Sequence, residues 1–114
     1  MDNEILEIAE RIRNTVDCEK IYLFGSYSWG TPHEGSDFDF YVIIPDDSAL
    51  RPIEVMQKIY RNLRGINRTM PVDILAARAS RFEEMSKLPT MERKIAREGI
   101  VVYERIVQAD RLEG

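Results

Sequence analysis

Two aspartates separated by a single residue, Asp37 and Asp39, are the side chains of this sequence best suited to metal-assisted chemistry. In a β-strand, residues two positions apart point to the same side, so the two carboxylates would lie close together and repel each other. Neither has a lysine or arginine beside it in the sequence. Mg²⁺ is typically held by carboxylates together with substrate phosphates, and a pair of ions can clamp both oxygens of a phosphoryl transfer. The pair therefore predicts a magnesium or manganese site, with a solvated acidic strand face as the alternative.

The dipeptide Gly25-Ser26 is a candidate phosphate contact. It follows Phe24 directly, at the end of a short apolar run. Because glycine has no side chain, the backbone can approach a phosphate closely, and the Ser26 hydroxyl and nearby amides can donate hydrogen bonds to it. Gly-Ser alone is a weak signal, and a plain β-turn is the alternative.

A third carboxylate, Asp73, lies inside the apolar run Pro-Val-Asp-Ile-Leu. Aspartate is disfavoured in strands, so its presence there needs a reason. If this strand lies beside the Asp37 strand, the three carboxylates converge. Asp73 could then share a metal ion and accept the proton of an attacking hydroxyl. A solvated residue on an edge strand is the alternative.

The elements that would position these residues follow from hydrophobic periodicity. Helices are predicted at residues 5–16, 53–63 and 91–98, and Ser80 with Glu83 predicts a capping box that opens another helix between the last two. Strands are predicted at residues 20–24, 37–44, 72–76 and 100–103. The order α-β-β-α-β-α-α-β predicts an α+β fold, a mixed sheet of four to five strands with helices packed against it, in a single domain of residues 1–114.

Alternation within the second strand predicts which side chains are buried. Phe38, Phe40, Val42 and Ile44 are expected on one face, with Asp37, Asp39, Tyr41 and Ile43 on the other. Asp73 is likewise expected to point away from Val72 and Ile74. All three aspartates should therefore lie on the same side of the sheet.

Composition limits the function. The net charge of the 114 residues is −4, which argues against a large nucleic-acid footprint. The single cysteine, Cys18, excludes an internal disulfide and is expected to be a small buried side chain rather than a nucleophile. The acidic N-terminus does not resemble a signal peptide, and the apolar runs are too short to span a membrane, so we expect a cytoplasmic protein.

Together these residues resemble the minimal nucleotidyltransferase family of the DNA polymerase beta-like superfamily. Its signature is Gly-Ser, a spacer ending in Ser or a similar residue, Asp-x-Asp, and a third carboxylate on a later strand. The matching positions here are Gly25, Ser26, Ser36, Asp37, Asp39 and Asp73. Residues 95–104 are also similar to the closing helix and strand of the family.

The resemblance implies transfer of a nucleoside monophosphate, with AMP from ATP as the leading candidate, to an acceptor hydroxyl. It implies that Asp37, Asp39 and Asp73 hold two Mg²⁺ or Mn²⁺ ions as the catalytic centre. Gly25, Ser26 and Ser36 would bind the nucleoside triphosphate.

The resemblance also implies a partner. Minimal nucleotidyltransferases are often antitoxins paired with a helical HEPN-domain ribonuclease toxin, and they attach AMP to a toxin tyrosine. Tyr27 and Trp29 stand where that antitoxin group often has arginines; they could stack on a base or pack on the core.

Two other functions are compatible with the sequence: a non-catalytic module that neutralises such a toxin by occlusion, and a nucleotide sensor. Retention of all three carboxylates favours the enzyme. Because the chain is short, the acceptor is expected on another protein or subunit, and a homodimer is compatible with the sequence.

Overall fold

The computed structural model describes residues 3–26, 28–30, 37–66 and 71–106. These residues form helices and strands in the predicted order. The elements are α1 (Asn3–Thr15), β1 (Lys20–Phe24), β2 (Phe38–Ile44), α2 (Pro52–Asn62), β3 (Val72–Arg78), α3 (Ala79–Ser86), α4 (Met91–Glu98) and β4 (Ile100–Glu104).

The four described strands form one mixed sheet in the order β3-β2-β1-β4, which confirms the predicted α+β architecture. Strand β1 runs antiparallel to both β2 and β4, whereas β2 and β3 are parallel. A parallel pair needs a long crossover connection, and α2 provides it between β2 and β3. This crossover brings the beginnings of β2 and β3 to the same end of the sheet, where β1 ends.

Helices cover both faces of the sheet. On one face, α1 and α2 pack their apolar stripes against alternate residues of the strands, including Phe38, Phe40 and Ile74. On the other face, α3 and α4 each contribute one fully packed apolar residue, Phe82 and Ile95. The predicted alternation in β2 is confirmed, because Tyr41 and Ile43 belong to this second cluster. Cys18 is buried in the first cluster, also as expected.

The capping box predicted at Ser80 is wrong. Strand β3 continues to Arg78, two residues beyond its predicted end, so α3 begins at Ala79 and Ser80 already lies in its first turn. The Ser80 amide donates instead to the side chain of Asp46, at 2.9 Å. A carboxylate that follows β2 therefore caps the helix from 34 positions away in the sequence. None of the helices in the described ranges has the length and apolar content needed to cross a bilayer.

Candidate active site

The sheet brings the three predicted aspartates together. Asp39 and Asp73 are directly opposite each other in the parallel register of β2 and β3, and Asp37 immediately precedes β2. The neighbouring residues Phe38 and Val72 also pair and are buried on the opposite face, so the aspartates point to the α3–α4 side. Carboxylate oxygens of all three lie within 4.8 Å of one another. Asp37 and Asp39 are half-buried, whereas Asp73 is exposed.

The pKa values of Asp39 and Asp73 are both perturbed. Burial, followed by the charges of Asp73 and Asp37, raises the pKa of Asp39 to about 6. The pKa of Asp73 is raised as well, by partial loss of hydration and by its hydrogen-bonding contact with Asp37 and the charge of that residue. Three carboxylates at this spacing tend to share protons because their negative charges repel. A divalent cation satisfies the same charge requirement, and an all-oxygen donor set suits Mg²⁺ or Mn²⁺.

Gly25 makes room for one of these carboxylates. It follows Phe24, which pairs with Asp39 across the antiparallel ladder. Its φ is +83°, a conformation that side chains other than glycine rarely adopt, and a Cβ there would overlap Asp39 Oδ2. The structure thus gives this glycine a role that the sequence did not indicate: it admits a carboxylate, whereas the sequence suggested only the approach of a phosphate.

The chain turns sharply after Gly25. The amides of Ser28 and Trp29 both donate to the Gly25 carbonyl, each at 3.1 Å, and the Ser28 hydroxyl also donates to it, at 3.2 Å. Ser26 lies in this turn and is half-buried. The predicted phosphate-contacting dipeptide therefore adjoins the aspartate cluster. Ser36, the remaining residue of the predicted motif, lies outside the described residues, and so does Tyr27.

Helix α4 borders the site, which the sequence did not predict. Trp29 packs against the α3–α4 side of the sheet, in agreement with the core interpretation of this residue. Lys94 of α4 places its Nζ 3.9 Å from the centroid of the Trp29 ring. Two residues along the same face from Asp39, the Tyr41 hydroxyl donates to Glu92 Oε2 at 2.9 Å. No local sequence pattern marks these α4 side chains, because they read as ordinary charges of a solvated helix.

A family model described as polymerase beta nucleotidyltransferase matches residues 6–107 of the chain. The chain belongs to this nucleotidyltransferase family. The resemblance seen in the sequence is thereby confirmed, and with it the class of the protein as a transferase. A search of the curated proteins found no significant match.

Solved structures share the fold. A protein assigned as a nucleotidyltransferase from Sulfolobus solfataricus superposes with a TM-score of 0.61 at 19% identity, over 90% of this chain and 79% of the other. A toxin–antitoxin structure with AMP-PNP gives a TM-score of 0.53 at 24% identity, over 89% and 73% of the two chains. A mutant of the toxin–antitoxin pair MntA–HpeT gives a TM-score of 0.55 at 22% identity, again over 89% of this chain and 73% of the other. At these identities the similarity establishes the nucleotidyltransferase-like fold.

Proposed function

We propose that this protein is a metal-dependent nucleotidyltransferase that moves AMP from ATP to a hydroxyl group on a partner protein. The observation that carries the proposal is the convergence of Asp37, Asp39 and Asp73 within 4.8 Å, at the end of β1 where the Gly25–Ser26 turn begins. Family membership supports the reaction class.

The three carboxylates would hold two Mg²⁺ or Mn²⁺ ions. When bound, these ions neutralise the charge of the triphosphate and polarise its phosphoryl groups. The donor set fits, because it is all oxygen. Burial first, and then the charges of Asp73 and Asp37, raise the pKa of Asp39, and a cation would offset the repulsion between these charges. Ser26 and the backbone of its turn would bind phosphate oxygens, together with Ser36 from the predicted motif.

The residues support a simple transfer step. The acceptor hydroxyl oxygen attacks the α-phosphorus of the triphosphate and forms a new P–O bond. The bond from this phosphorus to the bridging oxygen breaks, and pyrophosphate leaves. Asp73 takes the hydroxyl proton, since it is the most exposed of the three carboxylates and its raised pKa makes it a better base than an ordinary aspartate.

The acceptor is expected on a second protein. Two of the similar solved structures are toxin–antitoxin complexes, and one of them contains AMP-PNP. These similarities support a toxin-neutralising role. The family resemblance seen in the sequence implies a helical HEPN-type protein as the partner and one of its tyrosines as the acceptor.

The test is intact-mass spectrometry of the protein encoded by the neighbouring reading frame, after its incubation with ATP, Mg²⁺ and the purified chain. We expect the partner to gain the mass of one AMP or more, and a tyrosine to carry it. The matched control is Asp73→Asn, which preserves side-chain volume and should transfer nothing. A partner that binds tightly and loses its toxicity without any mass change would instead establish neutralisation by occlusion.

A further inference from the structure

Three cations lie over aromatic rings in the described part of the chain. They are Arg13 over Tyr103 at 5.2 Å, Lys20 over Tyr22 at 5.5 Å, and Lys94 over Trp29 at 3.9 Å from the ring centroid. The first two cations also form salt bridges: Arg13 with Glu10 at 2.9 Å, and Lys20 with Glu104 at 3.5 Å. Lys94 makes the shortest of these aromatic contacts, and no described carboxylate lies within 4.0 Å of it.

The position of the Lys94 ammonium follows from the turn after β1. Trp29 belongs to that turn, because its amide donates to the carbonyl of Gly25 at 3.1 Å. Gly25 in turn lies against the Asp39 carboxylate, where a Cβ would overlap it. A lysine from α4 is thus held against the same short turn that adjoins the aspartate cluster.

The charges of the site explain why a lysine at this position would favour nucleotide binding. The aspartate cluster repels the phosphates of a nucleotide, and the whole chain is acidic, with a net charge of −4. A cation at the phosphate turn lowers that repulsion and supplies N–H donors for charge-assisted hydrogen bonds. An exposed cation–aromatic contact is weak, so a phosphate can draw the ammonium away from the ring at little cost.

We propose that Lys94 binds the phosphates of the nucleoside triphosphate, with the Trp29 ring holding its ammonium beside the Gly25–Ser26 turn before the nucleotide arrives. The inference rests on the proposed function, because it assigns a phosphate-binding residue to the same site. It places one nucleotide contact on α4, outside the sequence motif that contains the aspartates.

Calorimetric titration of the purified chain with MgATP and with magnesium tripolyphosphate tests this assignment. Lys94→Met keeps most of the aliphatic stem over the ring and removes the charge. Its affinity for both ligands should fall by about 10- to 100-fold, the usual cost of losing a hydrogen bond to a charged group. Lys94→Arg should retain most of the affinity.

Lys20→Met is the matched control. It removes the same charge and the same kind of aromatic contact, but at the beginning of β1, about 13 Å from Phe24, the last strand residue before the turn, if the strand rises by its usual spacing. It should bind both ligands like the wild type. Circular dichroism and thermal melting should show that all variants remain folded.

Trp29 provides a local readout because it is the sole tryptophan of the chain. If phosphate draws the ammonium off the ring, MgATP should change the Trp29 emission of the wild type and of Lys20→Met. In Lys94→Met the change should be smaller even at saturating ligand. This signal does not depend on turnover or on the partner protein.

The outcomes separate the two proposals. A wild-type protein that binds neither magnesium ligand overturns the proposed function, and the role of Lys94 with it. A wild type that binds both, with Lys94→Met equal to it or Lys20→Met equally impaired, overturns only the role of Lys94. Weaker binding of MgATP with unchanged binding of tripolyphosphate would also overturn it, because Lys94 would then act on the nucleoside through Trp29.

Discussion

Asp39→Asn should stabilise the metal-free protein, although it removes the central carboxylate of the proposed active site. The pKa of Asp39 is raised from 3.8 to about 6, so the folded state disfavours the ionised carboxylate relative to the unfolded chain. At 1.36 kcal/mol per pKa unit the full penalty is about 3 kcal/mol. Because solvent screens this partly exposed group, we expect Asp39→Asn to raise the free energy of unfolding by about 1 kcal/mol. For a domain of this size that corresponds to a melting temperature about 4 °C higher.

The sign of the effect depends on pH. Below the unfolded pKa, close to 4, Asp39 is protonated in both states and carries no penalty. The penalty grows as the pH rises and is complete above the folded pKa of about 6. The stability difference between Asp39→Asn and the wild type should therefore be near zero at about pH 3 and close to its maximum at about pH 7.5.

Urea denaturation in EDTA at both pH values measures this difference. Asp47→Asn, in the exposed turn after β2, is the control for the loss of one negative charge. With MgATP the order should reverse, because the wild type gains stability from a ligand that binds only the folded state and Asp39→Asn does not. If Asp39→Asn is less stable than the wild type in EDTA at about pH 7.5, or if the difference does not change with pH, the carboxylate is structural and the reasoning is wrong.

Three other predictions concern single side chains. Asp73→Asn should keep most of the affinity for MgATP, but the rate of AMP transfer should fall at least about 100-fold, because Asp73 is proposed to accept the hydroxyl proton. Calorimetry and the mass assay together distinguish this result from a loss of binding. Gly25→Ala and Gly65→Ala both place a side chain at positive φ, which costs about 1–2 kcal/mol, but only the former also drives a Cβ into a carboxylate. Gly25→Ala should therefore be the less stable of the two in urea denaturation and should bind MgATP weakly, whereas equal stability and binding would contradict the close packing around Gly25. Asp46→Ala should destabilise the protein by about 1 kcal/mol, the usual cost of losing a helix cap, with the largest increase in amide hydrogen exchange at Ser80.

The convergence of the aspartates could be predicted because the side of the sheet to which each aspartate points follows from the alternation of residues in its own strand. Alternation with Phe38 and Phe40 fixes the face of Asp39, and alternation with Val72 and Ile74 fixes that of Asp73. What the pattern leaves open is the register, because nothing in either strand alone states that these two aspartates are directly opposite. The structure supplies that fact. Burial of Asp39, followed by the charges of Asp73 and Asp37, then raises its pKa.

Contacts between distant segments could not be predicted in the same way. Strand β3 extends through Ala76 and Ala77, which have weak strand propensity, because Arg78 anchors its end by donating to the carbonyls of Asp46 and Ser48. The cap of α3 by Asp46 and the contact of Lys94 with Trp29 likewise depend on how the helices pack against the sheet. No spacing within one segment reports such contacts, and this is why the α4 side of the site is absent from the sequence motif.

The two faces of the sheet carry apolar clusters of different size, and the three aspartates lie on the face with the smaller cluster. The α1–α2 face carries the larger apolar cluster, with fully buried residues such as Phe38 and Phe40 directly behind the aspartates. The α3–α4 face has a smaller aromatic cluster in which Phe82 contacts Tyr22 and Tyr41 at 5.6 and 5.1 Å between ring centroids. Because each aspartate is flanked in sequence by a residue buried on the opposite face, the backbone that holds the carboxylates is fixed by the larger cluster. The repulsion among them can then persist in the folded protein, where a cation or a shared proton relieves it.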